Sequence, residues 1–180
     1  MILKISKASL CCRTVHGPIK SILLFAVIML LCQIRPASAD SLSYEAGSGF
    51  YFSEKADADF LRYQHETEPL YGFSSYYEGS YASWNGPDHA EAVGLARGIR
   101  WMSNDDEYVS FAAGLSHISR TTSNLGQPFE FYVRVAYEKP FGKALASIGY
   151  IHYSDAKFLF RWSGPNNGEN FATLSLGMIF

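Results

Sequence analysis

Two side chains near the C-terminal end of the chain have the types and the spacing for acyl-transfer chemistry. In His152-Tyr153-Ser154-Asp155-Ala156 one residue separates a histidine from a serine. On an extended strand side chains alternate between faces, so His152 and Ser154 project from the same side. A serine hydroxyl beside an imidazole can attack a carbonyl while the imidazole takes its proton and later returns it to the leaving group. The earlier residues of that parity, Ala144, Ala146, Ile148 and Tyr150, make the face apolar. An ester approaching along it therefore belongs to a lipid-like substrate. His117-Ile118-Ser119 repeats the spacing without a comparable following loop and reads as a strand end. Asp105-Asp106-Glu107 reads as a solvated turn, and neither a Gly-rich phosphate loop nor a His/Cys metal spacing is present.

The elements that must carry these residues alternate with period two. Turn clusters divide the chain after Asp40 into eight segments: Ser43–Phe52, Phe60–His65, Tyr71–Ser83, Ala90–Trp101, Tyr108–Ser116, Pro128–Glu138, Ala144–Ser154 and Asn170–Phe180. In the sixth, Phe129, Phe131, Val133, Val135 and Tyr137 share one face, and Glu130, Tyr132, Arg134 and Glu138 share the other. Ala172, Leu174, Leu176, Met178 and Phe180 form a similar apolar parity in the eighth. A soluble sandwich would turn such a face inward; a small membrane barrel turns it to lipid and keeps its charges inside. Strands of transmembrane length, aromatics near segment ends and a terminal Phe180 favour the barrel. An even number of segments also lets an antiparallel sheet close without an edge, as lipid demands. The expected fold is all-β, an eight-stranded antiparallel transmembrane β-barrel. Eight strands leave an interior just filled by side chains, which argues against a general pore. Arg97, among Val93, Leu95 and Ile99, breaks the pattern, and Phe60–His65 is short.

Of the 180 residues, 48% are hydrophobic, 16% aromatic and 18% charged. Lys4, Lys7, Arg13 and Lys20 precede the apolar run Ile22–Leu31 and the small-residue site Ala37-Ser38-Ala39, so residues 1–39 read as a cleaved signal peptide and residues 40–180 as the barrel domain. The ten-residue run is short for a transmembrane helix. Cys11, Cys12 and Cys32 fall within that segment, which removes disulfide and thiolate chemistry from the remainder. Five of the 15 basic residues and none of the 17 acids lie there too. The acidic balance of the rest argues against nucleic acid as a natural partner.

The strand ending in His152-Tyr153-Ser154-Asp155-Ala156, the loop Pro165-Asn166-Asn167-Gly168 and the terminal strand resemble the lipid A 3-O-deacylases of the Gram-negative outer membrane, the PagL-like barrels. Ser119–Phe131 looks like that family's loop and strand before the catalytic strand, and the resemblance spans roughly Gly114 to Phe180. It implies an outer-membrane esterase that removes an ester-linked acyl chain from lipid A, with Ser154 as nucleophile and His152 as base. In the family an acid shortly after the Pro-Asn-x-Gly loop holds the imidazole. Here Asn170 and Glu169 are the candidates: parity puts Asn170 on the His152 face, while Glu169 needs a bulge to reach it and is favoured as the stronger support of a base. The resemblance places Asp155, Asn166 and Gly168 on the oxyanion or substrate side. The family usually has Asn where Asp155 stands, and a carboxylate there opposes a developing oxyanion. No cofactor and no metal are implied. Expected partners are lipid A or lipopolysaccharide, outer-membrane lipids and the barrel assembly machinery, with monomer and homodimer both open. The rival classes are a non-enzymatic small outer-membrane barrel with a structural or ligand-binding role, and a periplasmic lipid-binding barrel.

Overall fold

The computed structural model describes residues 40–50, 56–86, 88–104, 107–155 and 164–180. The proposed export segment, residues 1–39, lies outside them. Eight antiparallel strands, β1 (Ser41–Gly49), β2 (Asp57–Leu70), β3 (Phe73–Asn85), β4 (Ala90–Asn104), β5 (Glu107–Ile118), β6 (Phe129–Phe141), β7 (Ala144–Asp155) and β8 (Glu169–Ile179), pair in chain order, and β8 closes on β1. Following the register from Ser41 leads through Gln64, Glu78, Ala96, Gly114, Tyr132 and Tyr153 to Glu169. Ser41 itself pairs with Ile179. The row thus returns displaced by ten residues, the stagger that tilts the strands of a closed barrel.

The second strand is longer than its sequence suggests. Glu66-Thr67-Glu68-Pro69 reads as a break, yet β2 continues to Leu70 and the chain reverses at Tyr71 (φ 52°) and Gly72 (φ 86°). The register with β3 shifts between Thr67 and Leu70. That irregularity absorbs Pro69, which has no N–H to give to a ladder.

Alternation sorts the side chains as expected for a barrel in lipid. Phe129, Phe131, Val133, Val135 and Tyr137 lie on the outer parity of β6, while Glu130, Tyr132, Arg134 and Glu138 are buried inside. Leu174 and Leu176 remain well exposed on β8, as do Val93 and Leu95 on β4. Inside, Arg62 bonds Glu45 at 2.7 Å and also contacts Glu78 and Tyr132. Arg134 reaches Glu138 at 2.9 Å and Glu45 at 3.5 Å, and Arg100 reaches Glu138 at 3.1 Å. Such charges tolerate burial because each guanidinium meets carboxylates. Nearer the Ser154 end, Trp84, Tyr153, Phe171, Phe60 and Tyr132 pack ring against ring. These two layers fill the interior. A charged, filled inside and an apolar outside identify lipid as the solvent of the outer wall.

Arg97 stays on that outer wall, where its Nη1 donates to the Tyr77 hydroxyl at 3.2 Å and its guanidinium lies 5.1 Å from the ring centroid. The position pairs with Tyr77 on one side and Ala113 on the other.

Candidate active site

The end of β7 and the start of β8 form the site. His152 pairs with Asn170 across the two strands, and Tyr153 with Glu169. His152 and Ser154 project outward, and Tyr153 and Asp155 are buried inside. The pairing runs without a shift from Tyr153↔Glu169 to Ala144↔Met178. No bulge therefore turns Glu169 around. Its carboxylate stays on the interior, where Oε1 accepts from Thr122 Oγ1 at 3.0 Å and from Asn124 Nδ2 at 3.2 Å. The expectation that Glu169 reaches the imidazole is not met by this geometry, because an unbroken register fixes its parity.

Asn170 takes that place. Its Oδ1 lies 2.9 Å from His152 Nδ1 and accepts the Tyr150 hydroxyl at 2.7 Å. An amide oxygen only accepts, so in the neutral imidazole this contact favours the tautomer with its proton on Nδ1 and a lone pair on Nε2. Tyr150 and His152, two apart on one face, hold their rings nearly parallel, 16° apart in plane with centroids separated by 6.4 Å. Phe50 packs against Tyr150 at 5.8 Å. Sequence parity puts Tyr150 on the apolar face and assigns it no role. Its two-residue offset from His152 was the available signal.

The loop after β7 braces this arrangement. Gly168 has φ +80°, and a Cβ built there would stand 2.7 Å from His152 Cε1. Only glycine lets the backbone lie so close to the imidazole in that conformation. Asn166 clamps the end of β7: its Oδ1 accepts the Asp155 amide at 2.9 Å, and its Nδ2 donates to the Asp155 carbonyl at 3.3 Å. The loop is tied in turn to the segment before β6 through a bridge between Leu125 and Asn166 and a Gly126 N–H bond to the Pro165 carbonyl of 3.0 Å. Residues 156–163, including Ala156 of the motif, lie outside the described residues.

Asp155 differs from its expected role. Its side chain points into the barrel, opposite Glu130 on β6, and its amide is already given to Asn166. Neither its carboxylate nor its N–H faces the outer wall where Ser154 projects. Elsewhere, His117 stacks edge-on against Phe129 at 5.0 Å, and Ser119 Oγ accepts the Glu91 amide at 3.0 Å, consistent with a strand end. Of the acidic turn, Asp105 and Asp106 fall outside the described residues, and Glu107 binds Lys139 at 2.6 Å. Among the described residues no group of three or more potential ligands is placed to hold a metal ion.

The barrel resembles several solved structures. The crystal structure of the outer membrane enzyme PagL is 19% identical with a TM-score of 0.58, covering 77% of this chain and 98% of that one. The N-terminal β-barrel domain of Pseudomonas aeruginosa OprF is 17% identical with a TM-score of 0.54, covering 79% and 99%. A de novo designed transmembrane β-barrel reaches a TM-score of 0.56 at only 9% identity, with 81% and 98% covered, so these likenesses speak to the fold. No curated protein matches the chain. The lipid A 3-O-deacylase (PagL) family model matches residues 44–179, from β1 to the last residue of β8 and across the whole His152–Asn170 site. The chain belongs to the PagL family of lipid A 3-O-deacylases.

Proposed function

We propose that this barrel hydrolyses an ester-linked acyl chain of lipid A by a serine mechanism on its outer wall. The observation that carries the reading is the outward pair His152 and Ser154 on an apolar wall, with His152 Nδ1 anchored on Asn170 Oδ1 at 2.9 Å. Ser154 Oγ attacks the acyl carbonyl as His152 Nε2 takes its proton. Collapse of the tetrahedral adduct breaks the ester bond, and Nε2 returns the proton to the leaving sugar hydroxyl. Water then attacks the acyl-serine with the same base, releasing the fatty acid and restoring Ser154. Asn170 orients the imidazole, Gly168 lets the loop close on it, and Asn166 fixes the strand end that carries Ser154. Residues 1–39 serve as the export signal that brings the chain to the outer membrane.

Mass spectrometry of lipid A from cells with and without the protein tests this, and also identifies which acyl chain leaves. Ser154→Ala and His152→Ala should each abolish release while the barrel keeps its heat-modifiable mobility, and the double variant should be no worse than either. Release of the acid by Ser154→Ala would remove the serine mechanism. Unchanged lipid A with the parent protein, across several lipid A forms, would leave a non-enzymatic barrel.

A further inference from the structure

A base for Ser154 needs its proton on Nδ1, and a carboxylate partner enforces this because it only accepts. Asn170 has no such built-in bias. An amide presents an accepting oxygen on one side and a donating NH2 on the other. Turned the wrong way, Nδ2 would donate to His152 Nδ1, move the ring proton to Nε2 and remove the lone pair that Ser154 requires. Whatever fixes the amide fixes the tautomer.

The Tyr150 hydroxyl donates to the same Oδ1 that faces His152, at 2.7 Å. A phenol is a good donor and a poorer acceptor than an amide oxygen. The turned amide would lose the O–H···O bond and offer N–H to the phenolic oxygen instead. Phe50 packs against the Tyr150 ring, and on a lipid-facing wall little water competes for these bonds. We propose that Tyr150 is a positioning residue whose hydroxyl locks the Asn170 amide with Oδ1 toward His152, and so lets a neutral side chain do the work of the family's acid. This rests on the serine mechanism proposed above.

The test is a cycle of four purified, detergent-folded barrels acting on lipid A: parent, Tyr150→Phe, Asn170→Asp and the double variant. In the parent background Tyr150→Phe should lower kcat tenfold or more with KM within twofold. In the Asn170→Asp background the same change should alter kcat less than threefold, because a carboxylate has no donating end to turn. An equal loss in both backgrounds overturns the proposal. A second readout does not depend on turnover. The 15N shifts of His152 in histidine-labelled protein at alkaline pH should report the Nδ1–H tautomer in the parent and a shift toward Nε2–H in Tyr150→Phe. An unchanged tautomer also overturns the proposal. If Ser154→Ala still releases the acid, the serine mechanism fails, whereas the tautomer result judges the Tyr150 lock by itself.

Discussion

Replacing Asp155 by asparagine should stabilise the barrel and leave turnover alone. Glu130 and Asp155 are direct partners across β6 and β7, both point inside, and they are 0% and 3% exposed. Among the described residues no donor outside the pair reaches any of their four carboxyl oxygens. Directly opposed side chains on antiparallel strands have Cβ atoms about 5 Å apart. Two full charges at roughly 5 Å and an effective dielectric constant near 20 repel by 332/(20 × 5), about 3 kcal/mol. That repulsion is stored at this end of the barrel. Asp155→Asn keeps the shape and gives Glu130 an N–H donor, so the variant should gain about 2–3 kcal/mol. The assay is urea unfolding of the detergent-folded barrel, followed by tryptophan fluorescence and heat-modifiable mobility. Glu130→Gln should gain a similar amount, and the double variant little beyond either single, because one repulsion can be relieved only once. Turnover should stay within twofold of the parent, since Ser154 faces the opposite way. A destabilised Asp155→Asn, or two fully additive gains, would refute the stored repulsion; a rise in turnover would mean that the carboxylate acts on the reaction after all.

Four further outcomes follow from the same geometry. Asn170→Ala should lower turnover roughly a hundredfold by releasing the base, while Glu169→Gln should change it less than twofold, as lipid A release will show; the reverse ranking would return the orienting role to Glu169. On the wall, Val133→Arg should destabilise by about 2–4 kcal/mol in lipid. Arg97 is four residues inside Trp101, roughly 10 Å deep for strands tilted about 40°, so Arg97→Leu should stabilise by about 1–2 kcal/mol after losing its Tyr77 contact, measured by unfolding in lipid vesicles. Gly168→Ala, forced against His152 Cε1 at positive φ, should fold normally yet lose tenfold or more of its turnover in the lipid A assay.

The barrel was legible because a sheet buried on one side and wetted by lipid on the other writes its facing in every second residue. Eight alternating segments and the inward charges of β6 needed nothing more than period two. The extent of β2 did not follow, because Pro69 and its acidic neighbours carry turn chemistry that a register shift overrides. The site divided in the same way. Parity along one strand placed His152 with Ser154, and parity counted back from Phe180 placed Asn170 on the same face and Glu169 inside. Contacts between strands were not legible. The pairing of His152 with Asn170, of Glu130 with Asp155, and the reach of Thr122 and Asn124 to Glu169 depend on register and on loop path, which no periodicity within a single segment encodes. That is why Tyr150 passed as another apolar-face residue and Asp155 as a neighbour of the oxyanion.

With the interior closed by Trp84, Tyr153 and Phe171, the outward His152–Ser154 pair proposed as reactive would meet its substrate by sideways diffusion in the bilayer. Its working concentration is then a mole fraction of lipid A per unit of membrane area, not an amount per volume of solution. Diluting substrate-bearing vesicles with buffer should leave the initial rate per barrel unchanged once protein and substrate share a membrane. Diluting the same substrate with inert phospholipid should slow it in proportion.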